Sequence, residues 1–319
     1  MNISTEISER YQKLIMEDDE GEKKMNTASE HEYTTYPRRF KAYRWYKPLL
    51  VGVIFLILMF VFMMVTTVFT TAAFGVSGEA SGYDGMDFFT AGGALANGLL
   101  AFVPIPALFI AALIVKDRPI SSYNSSMGGW RWEVFLKTLG AAFVILGIPS
   151  IISLLMKGQT SAAKFTLGGF LIITLLTPLQ GYGEELMYRG YLTQTVSSWF
   201  RKPIIGIIVQ IVLFTIVHPY NLIGVIGIAV SALLYALASV LSKGLESGTA
   251  MHMVNNLTEI LMAGFGFGLI TSEQTVPGTL FNLFFKALFI AFLFYADRKF
   301  HWFDKVKYDD VTAFNEKQK

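Results

Sequence analysis

The sequence predicts an all-α protein, a polytopic membrane bundle of about eight transmembrane helices. Three observations carry that prediction. The 319 residues are 53% hydrophobic and only 16% charged, where a soluble chain of this length carries about a quarter charged residues. The apolar residues gather into long, nearly uncharged segments. Lysine and arginine then cluster between those segments at alternate ends.

The segments run at approximately 48–74, 91–115, 134–156, 165–192, 203–218, 222–242, 249–271 and 279–296. A hydrocarbon core of ~30 Å needs about 20 helical residues, so most are long enough to span. The fifth is short and the fourth long, with a kink expected at Pro178 because proline removes one hydrogen bond from the helix ladder.

The flanks set the organisation. Residues 1–40 hold nine acidic and six basic side chains and read as a solvated cytoplasmic tail. Residues 41–300 are expected to form the membrane domain and residues 301–319 a second cytoplasmic tail. No internal repeat and no second folded domain are evident. The first forty residues contain no apolar stretch of signal-peptide type. Arg38, Arg39, Lys41, Arg44 and Lys47, interleaved with Tyr43, Trp45 and Tyr46, make a basic-aromatic collar before the first span. With the N-terminus inside, the inner flanks carry fifteen Lys and Arg, Arg118 and Arg131 among them, against Lys157 and Lys164 outside. That bias predicts a multi-pass protein of the cell membrane with both termini cytoplasmic.

Composition excludes several classes. A formal net charge of +2 gives no electrostatic footprint for nucleic acid. The absence of cysteine rules out disulfides, a thiolate nucleophile and cysteine-ligated metal.

Charged groups inside the bilayer are costly and mark function. Gly181-Tyr-Gly-Glu-Glu-Leu-Met-Tyr-Arg-Gly-Tyr-Leu192 closes the fourth segment. Residues four apart share a helix face, so Glu185 can pair with Arg189, and Glu184 is left without a local partner. Two histidines lie in or beside apolar helices. His218 follows Phe214 by one turn and precedes Pro219, which places it near a helix end. His252 precedes Asn256 by one turn, and Glu259 continues that stripe. Counting 1.5 Å per residue from the turn near 200–203, Glu184 and His218 reach nearly the same depth. His252, only nine residues past Lys243, falls short of it unless the 243–248 turn dips into the protein or the helices are uneven.

These residue types suit hydrolysis. A carboxylate and an imidazole beside one water can remove its proton. A second imidazole and an amide N–H on one face can donate to a carbonyl oxygen becoming an oxyanion.

Glu-Glu-x-x-x-Arg, Phe-x-x-x-His and His-x-x-x-Asn, in that order on separate membrane helices, resemble the CPBP family of intramembrane glutamic endopeptidases. That family is also called the Abi or type II CAAX prenyl protease family. The resemblance covers about residues 165–260. It implies that Glu184 and His218 activate water, that His252 and Asn256 hold the oxyanion, and that Glu185, Arg189 and Phe214 support them. It also implies a metal-independent protease without cofactor, a membrane-associated or lipidated peptide or protein substrate, and a cavity open to the cytoplasm. The alternative is a non-catalytic bacteriocin-immunity or regulatory membrane protein that binds a peptide or sensor kinase. A zinc enzyme using His218, His252 and a Glu would lack the helical His-Glu-x-x-His spacing, and a transporter would lack an inverted repeat. Two further expectations concern packing. Glu259 and Lys286 lie at similar depth and are expected to pair. The Gly264–Gly268 run, with three glycines, is expected to allow close helix approach.

Overall fold

The computed structural model describes residues 32–75 and 88–317. The chain is an all-α polytopic membrane protein. Its packed body begins at Tyr33, and eight helical segments of 14 residues or more build it among the described residues. These are α1 (Lys47–Phe74), α2 (Ala91–Val115), α3 (Trp132–Lys157), α4 (167–200), α5 (Pro203–Ile216), α6 (Leu222–Leu241), α7 (Glu246–Gly264) and α8 (Val276–Phe300). A short helix, α9 (Asp310–Glu316), follows.

Five of these, α1, α2, α3, α6 and α8, are long and apolar enough to cross a membrane by length and composition. The other three are α4, α5 and α7. They are interrupted, short or polar, and they carry Glu184 and Glu185, Phe214 with His218 just beyond, and His252 and Asn256 respectively. In α4 and α7 the polar residues of the site also lower the hydropathy of the helix, whereas α5 is apolar and simply short.

The ends of the helices meet in two groups. At the basic end, the Trp199 indole N–H donates to the Trp45 carbonyl (2.7 Å), the Tyr191 hydroxyl to Pro48 O (2.8 Å) and Arg38 to Ser198 O (2.9 Å). At the far end, Lys164 N–H donates to Gly264 O (2.8 Å), Thr166 N–H to Phe89 O and Asn221 N–H to Ser272 O. Successive helices therefore run in alternating directions. Helix α1 touches the body along a narrow stripe, Val51 and Phe55 packing on Ala107, Leu108 and Ala111. Its Leu56, Phe60 and Val68 are about two-thirds exposed, the face a bilayer would cover.

Several expectations change in detail. Residues 33–40, assigned to the tail, belong to the body, because Tyr33, Tyr36 and Phe40 are buried. The segment after α8 is also packed. Phe303 is fully buried, Lys307 N–H donates to Met127 O, and Asp310 accepts from Tyr36 and Ser121 hydroxyls at 2.6 Å each. Helix α4 continues through Pro178. Its irregularity falls later, where Leu186–Thr193 widens into a π-helix. The glycine run divides its labour. A side chain on Gly264 would collide with the Phe165 ring, whereas Gly266 and Gly268 have φ of +89° and +93° and turn the chain away from α7.

Arg118 and Arg131 are buried rather than lying at a charged surface. Arg118 bonds Gln194 and the Gly190 carbonyl, with its guanidinium 3.7 Å from the Tyr123 ring. Arg131 grips both Glu246 carboxylate oxygens at 3.0 Å and reaches the carbonyls of Ser242 and Phe303. Removing these two from the inner flanks leaves thirteen basic residues (15 − 2) against two, so the charge asymmetry survives.

Candidate active site

The two adjacent glutamates of α4 point to different surroundings because each residue turns the helix by about 100°. Glu185 is fully buried. Its Oε1 accepts from Arg189 at 3.1 Å and from His252 Nδ1 at 2.9 Å. Arg189, also fully buried, donates on to the Ala232 carbonyl of α6. A buried pair of this kind holds its geometry because losing either member strands a charge.

Glu184 remains partly exposed, 19% for its side chain, and its Oε2 stands 3.7 Å from His252 Nε2. It is not without a local partner: Gln180, one turn earlier, donates to it at 3.1 Å. His252 therefore lies between the two carboxylates, bonded to one and facing the other. Its ring stacks on Tyr235 of α6, with centroids 4.6 Å apart and planes 17° apart.

The depth of His252 follows from its loop. Residues 244–252 are all buried, so the chain dips into the protein before α7 begins. Residues 117–131 fold beneath it. Ser125 and Ser126 bond Lys243 O, Leu245 N–H donates to Asn124 O, and Arg131 clamps Glu246.

His218 sits just past the end of α5. Its Nδ1 is 2.6 Å from the Phe214 carbonyl. A carbonyl only accepts, so Nδ1 carries the proton and Nε2 is left as the basic nitrogen of the neutral ring. Phe214 joins the two halves of the site. Its ring lies 4.6 Å from His218, 6.3 Å from His252 and 4.9 Å from Tyr188, and Arg189 sits 4.7 Å from its centroid.

Asn256 accepts from Asn255 at 3.1 Å, which leaves its own N–H₂ unused in that bond. Asn255 in turn accepts from Asn282 of α8 at 2.8 Å, and Asn282 reaches Glu259 at 3.4 Å. The expected Glu259–Lys286 ion pair is not made. Lys286 donates to Ser231 at 3.0 Å and lies 5.2 Å from the Tyr235 centroid. A hydroxyl on α6 and an aromatic face satisfy the ammonium instead.

The structure thus gathers Glu184, Glu185, Arg189 and His252 by direct approach, and links His218 through Phe214. Tyr235 carries no local sequence signal, since a tyrosine in an apolar helix reads as core. Gln180 was accessible from the i, i+4 rule.

A family model described as Rce1-like, type II CAAX prenyl endopeptidase Rce1-like, matches residues 164–258. That span contains α4 through most of α7 and therefore Glu184, His218, His252 and Asn256. The match supports the CPBP (CAAX protease) family for this chain, and with it a multi-pass membrane protease of that general kind. Comparisons with curated proteins and with solved structures give no match.

Proposed function

We propose that this chain is a glutamic intramembrane endopeptidase that hydrolyses a peptide bond of a membrane-associated or lipidated substrate, without a metal. The observation that carries the reading is the placement of His252 between Glu184 and Glu185 in a buried, hydrogen-bonded frame. Glu184 is the carboxylate with open space beside it, and it takes the proton of the attacking water together with His218 Nε2. Glu185 accepts the Nδ1 proton of His252 and fixes the ring. For His252 to donate to an oxyanion, Nε2 must also carry a proton. Asn256, one turn further along the same helix, supplies the second donor from its amide. The protein would act in the cell membrane with both termini on the cytoplasmic side.

Among the described residues, no three His, Cys, Asp or Glu side chains form a set able to hold a metal ion. The test is peptide release from membranes, followed by mass spectrometry in the presence of a zinc chelator. Release unchanged by chelator, and lowered about 10²–10³-fold by Asn256→Ala as for loss of an oxyanion donor, is the expected result. Loss of release on chelation alone would favour the zinc mechanism. A deletion phenotype rescued equally by the native protein and by Asn256→Ala, with no peptide released by either, would favour the binding or immunity role.

A further inference from the structure

Asn256, the amide donor of the proposed reaction, ends a chain of amides that crosses from α8 to α7. The Asn282 N–H₂ of α8 donates to Asn255 Oδ1 at 2.8 Å and reaches Glu259 Oε1 at 3.4 Å. The Asn255 N–H₂ donates in turn to Asn256 Oδ1 at 3.1 Å. All three asparagines are half-buried. Asn282 and Glu259 lie outside the residues matched by the family model, 164–258.

An amide has a donor end and an acceptor end of nearly the same shape, and its hydrogen-bond partners decide which way it faces. Asn256 could offer either end to a substrate carbonyl. Only its N–H₂ would stabilise an oxyanion, and its oxygen would repel one. Here Asn255 occupies that oxygen, so the N–H₂ is the end left over. The direction is fixed along the whole chain. Turning Asn256 over alone would set N–H₂ against N–H₂, and turning Asn255 over alone would do the same at Asn282. Reversing all three would bring the Asn282 oxygen against the Glu259 carboxylate, which as an ion only accepts. Amides that merely glued α7 to α8 would serve equally in either direction. We infer that Asn255 and Asn282 are positioning residues for Asn256, a relay anchored at Glu259 that keeps the Asn256 N–H₂ free for the carbonyl oxygen of the scissile peptide bond. This rests on the endopeptidase reading, and it brings a residue of α8 into the service of the site.

Two readouts test the relay in the full-length protein. The first is the rate of peptide release from membranes, compared in a double-variant cycle at equal abundance. Asn282→Leu removes the head of the relay at similar volume. It should slow release by about 10-fold, less than the 10²–10³-fold of losing an oxyanion donor outright. In an Asn256→Ala background the same change should cost nothing further, because the amide it orients is gone. Asn255→Ala, which removes the middle link, gives the same cycle should Asn282→Leu fail to accumulate. The second readout needs no catalysis. With isotope-labelled asparagine, heteronuclear NMR in detergent shows the side-chain N–H₂ signal of Asn256, assigned by its loss in Asn256→Ala. Asn282 makes its bonds to Asn255 and Glu259, so a shift of the Asn256 signal in Asn282→Leu reports the relay. Release as fast as native in Asn282→Leu, losses that multiply in the double variant, or an unmoved Asn256 signal would overturn it. A shifted signal in a protein that releases no peptide would count against the enzyme and leave the relay standing.

Discussion

Glu185 is the residue on which the site's geometry depends most. One of its oxygens serves both Arg189 and His252. Glu185→Gln removes a charge from a buried pair and should lower stability by about 3–5 kcal/mol, read as a fall in the melting temperature in detergent. Glu184→Gln, with a partly exposed side chain, should leave that temperature nearly unchanged. Tyr235 offers a different contrast. Tyr235→Phe keeps the ring that stacks on His252 and should keep activity, whereas Tyr235→Leu should reduce turnover more than substrate affinity. Within a helix, spacing made the contacts of Glu185 with Arg189 and of Phe214 with His218 legible. Contacts between helices were not. Lys286 turned to Ser231 and Tyr235 rather than to Glu259, because a hydroxyl or an aromatic face leaves no pattern along an apolar helix.

At the scale of elements, the order of the helical segments was visible in hydropathy, although only five of those described have the length and composition of membrane spans. The loops were not visible in that way. Residues 117–131 read as a charged inner flank, yet Arg118 and Arg131 are buried there: Arg118 holds Gln194 and Gly190 of α4, and Arg131 holds Glu246 at the start of α7. Arg131→Met should strand Glu246, lower stability by about 3–5 kcal/mol and reduce activity by displacing His252. Melting and peptide release measured on the same preparation check both. The docked α9 adds a pH dependence. Burial holds the Asp310 carboxyl above its ordinary range, against the hydroxyls of Ser121 and Tyr36 that favour its charge. A carboxyl whose folded pKa is raised favours docking below its unfolded value near about 4 and loses that contribution as pH rises through the folded pKa. Protease sensitivity of residues 301–317 should therefore increase with pH over that window, and Asp310→Asn should flatten the response.

For the whole molecule, division of labour among helices explains why fold and site reinforce each other. Helices α1, α2, α3, α6 and α8 have the length and hydropathy of membrane spans. The three short, polar or interrupted helices are held by them and by residues 117–131, which pack beneath the start of α7. A bundle so arranged can keep carboxylates and imidazoles at mid-depth only if each is bonded or faces water. Glu185, Arg189 and Lys286 meet the first condition, as does Glu259 through Asn282, and the partly exposed Glu184 meets the second. That separation of buried frame from partly exposed carboxylate supports the proposed water-activating role of Glu184. The most direct measurement compares peptides released from membranes carrying the native protein with those from membranes carrying Glu184→Gln at equal abundance. The account predicts at least one peptide made by the native protein and lowered about 10²–10⁴-fold in the variant, the range for loss of a general base. The same peptide released equally by both would contradict it.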